Sequence, residues 1–149
     1  MADQSQARSA PRSKPRPGEN MRLIDALQYR LPLAGVVSIL HRVSGMLMFF
    51  LLPFIVWMFD ASVTSEVSYD GFTSAFVAGI GFVPGFGIKL VALALIWAYL
   101  HHAVAGLRHL WMDATHAVTK EFGHSSAVAT FGISIGLTVV LGAKLFGLF

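Results

Sequence analysis

Three long apolar runs, each almost free of charge, constrain this 149-residue chain more than any other feature of its sequence. They lie at 33–59, 88–111 and 127–148, and a helix needs about 20 apolar residues to cross a bilayer. Only 13% of the residues are charged, whereas soluble domains have about a quarter. We therefore predict an all-α membrane protein whose anchor domain, residues 21–149, contains three transmembrane helices.

Lysine and arginine are unevenly distributed, and this asymmetry predicts the orientation of the chain. Six of the eleven lie within the first 30 residues, whereas 60–87 contains three acidic residues and no Lys or Arg. The positive-inside rule then places the N-terminus in the cytoplasm and the C-terminus on the opposite, periplasmic side. The polar residues 1–20 predict a disordered cytoplasmic tail. Residues 60–87 are expected to be an outer loop, in which 71–86 is a loop or interfacial segment broken by Gly and Pro and not a fourth span. The basic N-terminal segment suits an anionic membrane surface better than nucleic acid.

Two groups of polar and ionisable residues interrupt the first and second apolar runs. Such groups are costly at membrane depth, so they mark cofactors, ion paths or bound anions. Because the first helix runs outward and the second runs inward, both groups are expected at the same cytoplasmic level of the bilayer. The first group contains Ser38, His41 and Arg42, and the second contains His101, His102, Arg108, His109 and Asp113.

The second group suggests a haem site. His102, Gly106, His109 and Asp113 follow one another at intervals of four, three and four residues, which places them on one helical stripe. Imidazole is a common axial ligand of haem iron, and a glycine leaves room for a flat macrocycle. From spacing alone His101 competes with His102 as the ligand, and a histidine that bonds a neighbouring helix is the alternative. The residues expected near the anionic haem propionates are His41, Arg42, Arg108 and His109.

The first group suggests a second binding site. Ser38 and Arg42 are i, i+4 neighbours on a helix. A hydroxyl and a guanidinium just below the headgroups fit a quinone, whose carbonyls need donors, and they fit an anionic lipid headgroup equally well. The chain contains no Cys, so it supplies no thiolate to an iron–sulfur cluster.

Taken together, these two groups resemble a known family. The motifs Ser38-x-x-His41-Arg42-x-Ser44-Gly45 and His102-x-x-x-Gly106-x-Arg108-His109-x-x-x-Asp113 are similar to those of the cytochrome b556 membrane-anchor subunits of succinate dehydrogenase, respiratory complex II. The resemblance covers residues 20–130. It implies a three-helix chain that forms half of a haem-binding helical bundle with a second anchor subunit.

The resemblance also implies roles for individual residues. His102 would be the axial ligand of haem b iron, with the other ligand supplied by the partner anchor. His41, Arg42 and His109 would lie near the propionates. Ser38 and Arg42 would be the catalytic residues that border a ubiquinone pocket, which the partner anchor and an iron–sulfur subunit complete. Asp113 would act either in a helix-end hydrogen bond or on a proton path.

The implied setting is the bacterial inner membrane, where complex II serves both the respiratory chain and the tricarboxylic acid cycle. Electrons would reach this chain from succinate through a flavoprotein and the iron–sulfur subunit, so the chain is not catalytic alone. A trimer of such heterotetramers is one assembly that the resemblance allows. Two alternatives remain from the sequence: an anchor of a quinol:fumarate reductase, and a non-redox lipid-binding structural membrane subunit.

Overall fold

A computed structural model describes residues 31–149 and shows five α-helices in that range. Three of them are long and apolar enough to cross a membrane, and no β-strand occurs among these residues, which confirms the predicted all-α membrane class. The tail predicted at 1–20 lies outside the described part of the chain. The helices are α1 (Leu33–Phe50), α2 (Leu52–Val63), α3 (Glu66–Ala78), α4 (Gly85–Thr115) and α5 (Lys120–Leu145); the membrane-length ones are α1, α4 and α5.

The first apolar run, 33–59, forms two helices where one transmembrane helix was expected. Leu51 leaves helical geometry with φ −90° and ψ 5°, and Pro53 lies in the first turn of α2. Proline is tolerated in a first turn because its missing N–H would have no helical partner there. The Ile55 N–H then donates to the Leu51 carbonyl at 3.0 Å, which resumes the helical pattern.

Residues 60–87 contain a helix where the sequence predicted a loop or interfacial segment. The Ser65 hydroxyl accepts from the Ser68 N–H at 3.1 Å, and the Ser68 hydroxyl accepts from the Ser65 N–H at 2.9 Å. This reciprocal capping box starts α3. Gly79 ends it with φ 94°, a conformation that favours glycine. At 13 residues, α3 is about 20 Å long and cannot cross a hydrocarbon core of about 30 Å.

The helix α4 lies at the centre of the packing, with α1 and α5 against it. The buried residues Val37, Ala105 and Ala127, one from each of these three helices, form the core. Small side chains at the contacts let the helix backbones approach closely, as is common in membrane helix pairs. Large apolar side chains instead cover the outside, and Phe49 and Phe50 are 71% and 75% exposed. Soluble monomers rarely expose so much apolar surface, so these faces suit lipid or another membrane subunit.

Candidate cofactor site between α1 and α4

His102 of α4 lies against the turn of α1 that starts at His41. Its Nδ1 is 3.0 Å from the His41 carbonyl oxygen and 3.4 Å from Ser44 Oγ. The Ser44 hydroxyl donates to the same carbonyl at 2.8 Å, so both neighbours of Nδ1 are acceptors. A neutral ring in this network carries its proton on Nδ1 and its lone pair on Nε2. A bond from Nδ1–H to a backbone carbonyl typically orients a histidine whose Nε2 binds a metal.

Gly45 makes the close approach of His102 possible. A Cβ at this position would lie 3.1 Å from His102 Cε1 and 3.4 Å from its Nδ1. Because 3.1 Å is tighter than ordinary van der Waals contact, any side chain there would displace the imidazole. Ser44, the neighbouring residue, is completely buried. The pair Ser44–Gly45 therefore shapes the pocket that holds the Nδ1 edge of the ring.

Three imidazoles from the two helices form one cluster. The rings of His41 and His102 stack with centroids 4.1 Å apart and planes 19° apart. The His109 ring lies 5.3 Å from that of His41, tilted by 58°. The two polar groups therefore lie next to each other at these three histidines. Gly106, which was expected to leave room for a macrocycle, faces His41, whose Nε2 would lie 3.5 Å from a Cβ at that position.

His101 occupies a different environment on the α5 side of α4. It is fully buried, and its Nδ1 is 3.4 Å from Ser134 Oγ of α5. Its ring stacks on Trp97 and lies 5.6 Å from the ring of Phe131. The Val37 backbone lies near the His101 imidazole. The ring nitrogen Nε2 of His101 nevertheless has no hydrogen-bond partner in the described part of the chain. A macrocycle cannot reach a side chain with no exposed surface unless a helix moves.

Arg108 is turned toward α5. Its Nε donates to Ser126 Oγ at 2.9 Å, and its Nη2 donates to the Gly123 carbonyl at 3.3 Å. The side chain is only 8% exposed. These bonds join α4 to α5, a role that the sequence analysis missed because the partners lie on another helix. A role for Arg108 at the haem propionates remains a prediction that these contacts do not support.

The remaining predicted site residues lie at more open positions. Ser38 is half-buried and Arg42 is exposed, so both polar groups can reach a ligand outside α1. His109 and Asp113 line a cavity of about 340 Å³ at the end of α4. Residues 31–149 contain no set of three His, Cys, Asp or Glu side chains placed to hold a bare metal ion. A haem needs fewer ligands from the chain than a bare metal ion does, because one axial histidine is enough to hold it. The donor set around His102 therefore fits haem.

A bundle of membrane-length helices with an imidazole cluster between two of them defines a multi-pass helical membrane subunit. Over residues 17–141 the chain matches the family described as succinate dehydrogenase/fumarate reductase transmembrane subunit. The match covers most of the chain, and the chain belongs to this family. It is therefore a membrane-anchor subunit that is not catalytic alone and assembles with the other subunits of its complex.

Individual relatives agree with this assignment. The chain is 32% identical over 112 residues to the succinate dehydrogenase cytochrome b556 subunit of Paracoccus denitrificans, a match that covers 75% of this chain and 81% of the relative. It is 28% identical over 119 residues to the subunit of the same name from Coxiella burnetii, covering 80% and 90%. The succinate dehydrogenase cytochrome b560 subunit of Reclinomonas americana is 25% identical over 112 residues, covering 75% and 76%.

Proposed function

We propose that this chain binds haem b through His102 and contributes Ser38 and Arg42 to the ubiquinone-reduction site of a succinate:quinone oxidoreductase. One observation carries the haem assignment: Nδ1 of His102 faces two acceptors, which leaves the Nε2 lone pair for the iron. The competing candidate His101 is enclosed by protein. The relatives named cytochrome b556 agree with a haem of this type.

The chain's own residues around His102 have separate tasks in this proposal. The imidazoles of His41 and His109 and the guanidinium of Arg42 would bind the anionic propionates through charge-assisted hydrogen bonds. A partner anchor subunit would supply a further ligand, so two subunits would hold the cofactor. When bound, the haem supplies a one-electron carrier.

Ser38 and Arg42 act on the quinone. The hydroxyl donates to one quinone carbonyl, and the guanidinium stabilises the negative charge that develops on that oxygen as electrons arrive. The half-buried Ser38 and the exposed Arg42 are compatible with a ligand whose head lies at the membrane interface. An anionic lipid headgroup would use the same donors, so the experiment on Arg42 must distinguish the two ligands.

The partners and orientation follow from the same proposal. A flavoprotein and an iron–sulfur subunit on the cytoplasmic side deliver electrons from succinate, and the names of the relatives favour this direction over fumarate reduction. The chain spans a bacterial inner membrane, and its N-terminus lies in the cytoplasm. Because the chain has no Cys, single-cysteine variants test the orientation cleanly. An impermeant maleimide should label Val67→Cys in intact cells, and His124→Cys only after permeabilisation; the reverse pattern would invert the topology.

A spectrum of the purified complex tests the haem assignment. The dithionite-reduced minus oxidised difference spectrum of His102→Ala should lack the b-type bands, while His101→Ala should retain them. A subunit gel of each variant serves as the control for assembly. Loss of the bands in His101→Ala alone would move the ligand to His101. Retention in both variants would refute haem ligation by either histidine.

Two electron-transfer assays on one preparation test the quinone site. Arg42→Ala should lower succinate:quinone activity at least tenfold, since a hydrogen bond from a charged group contributes about 1.5–3 kcal/mol. Succinate-to-dye activity, which bypasses the membrane site, should be unchanged. Normal quinone reduction, together with the loss of a co-purifying phospholipid in mass spectra, would assign Arg42 to a lipid headgroup instead. Equal loss of both activities would indicate failed assembly, and Arg42→Lys would then be assayed in its place.

A further inference from the structure

The structure assigns Ser44 and Gly45 as positioning residues for the haem ligand. Together with the His41 carbonyl, they fix the proton and the ring plane of His102. They thereby influence the redox potential of the haem through its ligand. This inference rests on the proposed function, because its effect is exerted through a ligated His102.

Two neighbours of Nδ1 determine where the His102 ring carries its proton. The His41 carbonyl accepts both from Ser44 Oγ at 2.8 Å and from His102 Nδ1 at 3.0 Å. Since the Ser44 hydroxyl gives its proton to the carbonyl, it presents only a lone pair to Nδ1, 3.4 Å away. Both groups therefore stabilise the tautomer that carries the proton on Nδ1. A hydrogen bond of this kind raises the basicity of the opposite nitrogen, which strengthens its bond to ferric iron.

Two contacts also determine the plane of the His102 ring. The His41 imidazole covers one face of His102 at a centroid distance of 4.1 Å. Gly45 lies against the Nδ1–Cε1 edge, where a Cβ would come within 3.1 Å. A contact on one face and a contact along one edge leave the imidazole little freedom to rotate. The orientation of the axial ligand is thus determined by one turn of α1, a helix that does not carry the ligand.

The burial of Ser44 supports this interpretation. Its side chain has no exposed surface, and burying a hydroxyl costs free energy unless it is hydrogen-bonded. The polar contacts that Ser44 makes among the described residues are the His41 carbonyl and His102 Nδ1. A serine at this position is therefore accounted for by the network that holds the ligand.

The test uses two variants in the intact purified complex, each with a matched control. Gly45→Ala is compared with Gly132→Ala, because a Cβ at 132 meets no atom of the described residues within 4 Å. Ser44→Ala is compared with Ser125→Ala, an exposed serine that bonds its own helix in the described part of the chain. The measurements are haem per flavin, the midpoint potential, and the electron paramagnetic resonance spectrum of the ferric haem, which reports the ligand plane.

The two variants should shift the potential in opposite directions. Gly45→Ala pushes the ring away from the carbonyl, weakens the Nδ1–H bond and raises the potential. Changes in the residues that support a metal ligand typically alter metal affinity about 10–100-fold. If the affinities for ferric and ferrous haem iron change unequally, each tenfold change in their ratio corresponds to about 59 mV for one electron. Ser44→Ala removes a weak acceptor of Nδ1 at 3.4 Å and also a donor that competes for the His41 carbonyl. Because the carbonyl at 3.0 Å is the stronger acceptor, the second effect should dominate and give a smaller shift to lower potential. Both controls should match the wild type.

The outcomes separate this inference from the proposed function. If His102→Ala loses its haem but Ser44→Ala and Gly45→Ala keep the wild-type potential and resonance spectrum, Ser44 and Gly45 are not positioning residues and the haem assignment stands. If His102→Ala keeps its haem, the haem assignment fails and the inference fails with it. If Gly45→Ala does not assemble, the sign of the shift in Ser44→Ala decides the question.

Discussion

Replacing His101 with phenylalanine should leave the haem content and the thermal stability of the complex close to those of the wild type. The ring stacks on Trp97 at 5.5 Å and lies 5.6 Å from Phe131, so its surroundings suit any planar aromatic side chain. Phenylalanine keeps that shape and removes both ring nitrogens. The substitution therefore distinguishes a structural histidine from an iron ligand, because only the ligand role requires a nitrogen.

Three contributions determine the expected change in stability. Removing Nε2, which has no hydrogen-bond partner among residues 31–149, relieves at most about 1–3 kcal/mol, the cost of a buried unsatisfied polar group. Losing the contact with Ser134 costs about 0.6 kcal/mol, the average for hydrogen bonds between membrane helices. The larger ring adds about 1 kcal/mol of packing strain. The net change is then within about 1.5 kcal/mol of zero. His101→Ala gains the same relief and loses the same contact, but it leaves an aromatic-sized cavity that costs about 3–5 kcal/mol. It should therefore be about 3 kcal/mol less stable than the phenylalanine variant.

Half-lives for thermal inactivation of the solubilised complex measure this difference. A difference of about 3 kcal/mol that falls entirely on the unfolding barrier makes the half-life of His101→Ala about a hundredfold shorter than that of the phenylalanine variant, which should stay within about tenfold of the wild type. Haem spectra recorded on the same samples give the second readout. A His101→Phe complex that lacks haem, or that decays as fast as His101→Ala, would refute the reasoning.

Three further substitutions test helix packing and helix capping away from the His102 ligand. Gly142→Ala should shorten the inactivation half-life because its Cβ would lie 2.8 Å from Leu93 Cδ1; Gly136→Ala, with open space around it, should not. Arg108→Met should also inactivate faster, since it loses two hydrogen bonds to α5, but its haem spectrum should be unchanged. A lost haem band in that variant would favour a propionate role. Ser65→Ala removes the capping box of α3, so amide exchange in its first turn should quicken by the equivalent of about 1 kcal/mol, while exchange in α5 stays constant.

The sequence predicts the membrane helices and the meeting of His41 with His102. The helices follow from local composition, since lipid requires about 20 apolar residues in succession. The proximity of His41 to His102 follows from the opposite directions of α1 and α4, which bring these two residues to one level. The sequence does not separate His101 from His102, because the face of α4 that packs on α5 is marked by Ser134, 33 residues further along the chain.

The role of Arg108, the start of α3 and the position of Gly45 were not predicted from the sequence. Arg108 bonds Ser126, 18 residues away on the next helix, and a propionate-binding arginine would look the same in sequence. The start of α3 has a local signal in Ser65, since serine is a preferred N-cap residue. The Gly and Pro content of 60–87 favoured a loop instead. The contact between Gly45 and His102 cannot be predicted from hydrophobic periodicity, because it depends on how closely α1 and α4 approach each other.

The unequal lengths of α1 and α4 determine which surface a water-soluble partner would contact. His102 precedes the end of α4 by 13 residues (102 to 115), and His41 follows the start of α1 by eight (33 to 41). At about 1.5 Å per residue, α4 reaches about 8 Å beyond the first residue of α1. An extrinsic subunit docked on that projecting end would rest on protein and not on lipid. Its distance from His102 would then be set by a rigid helix, and membranes of different thickness would leave that distance unchanged.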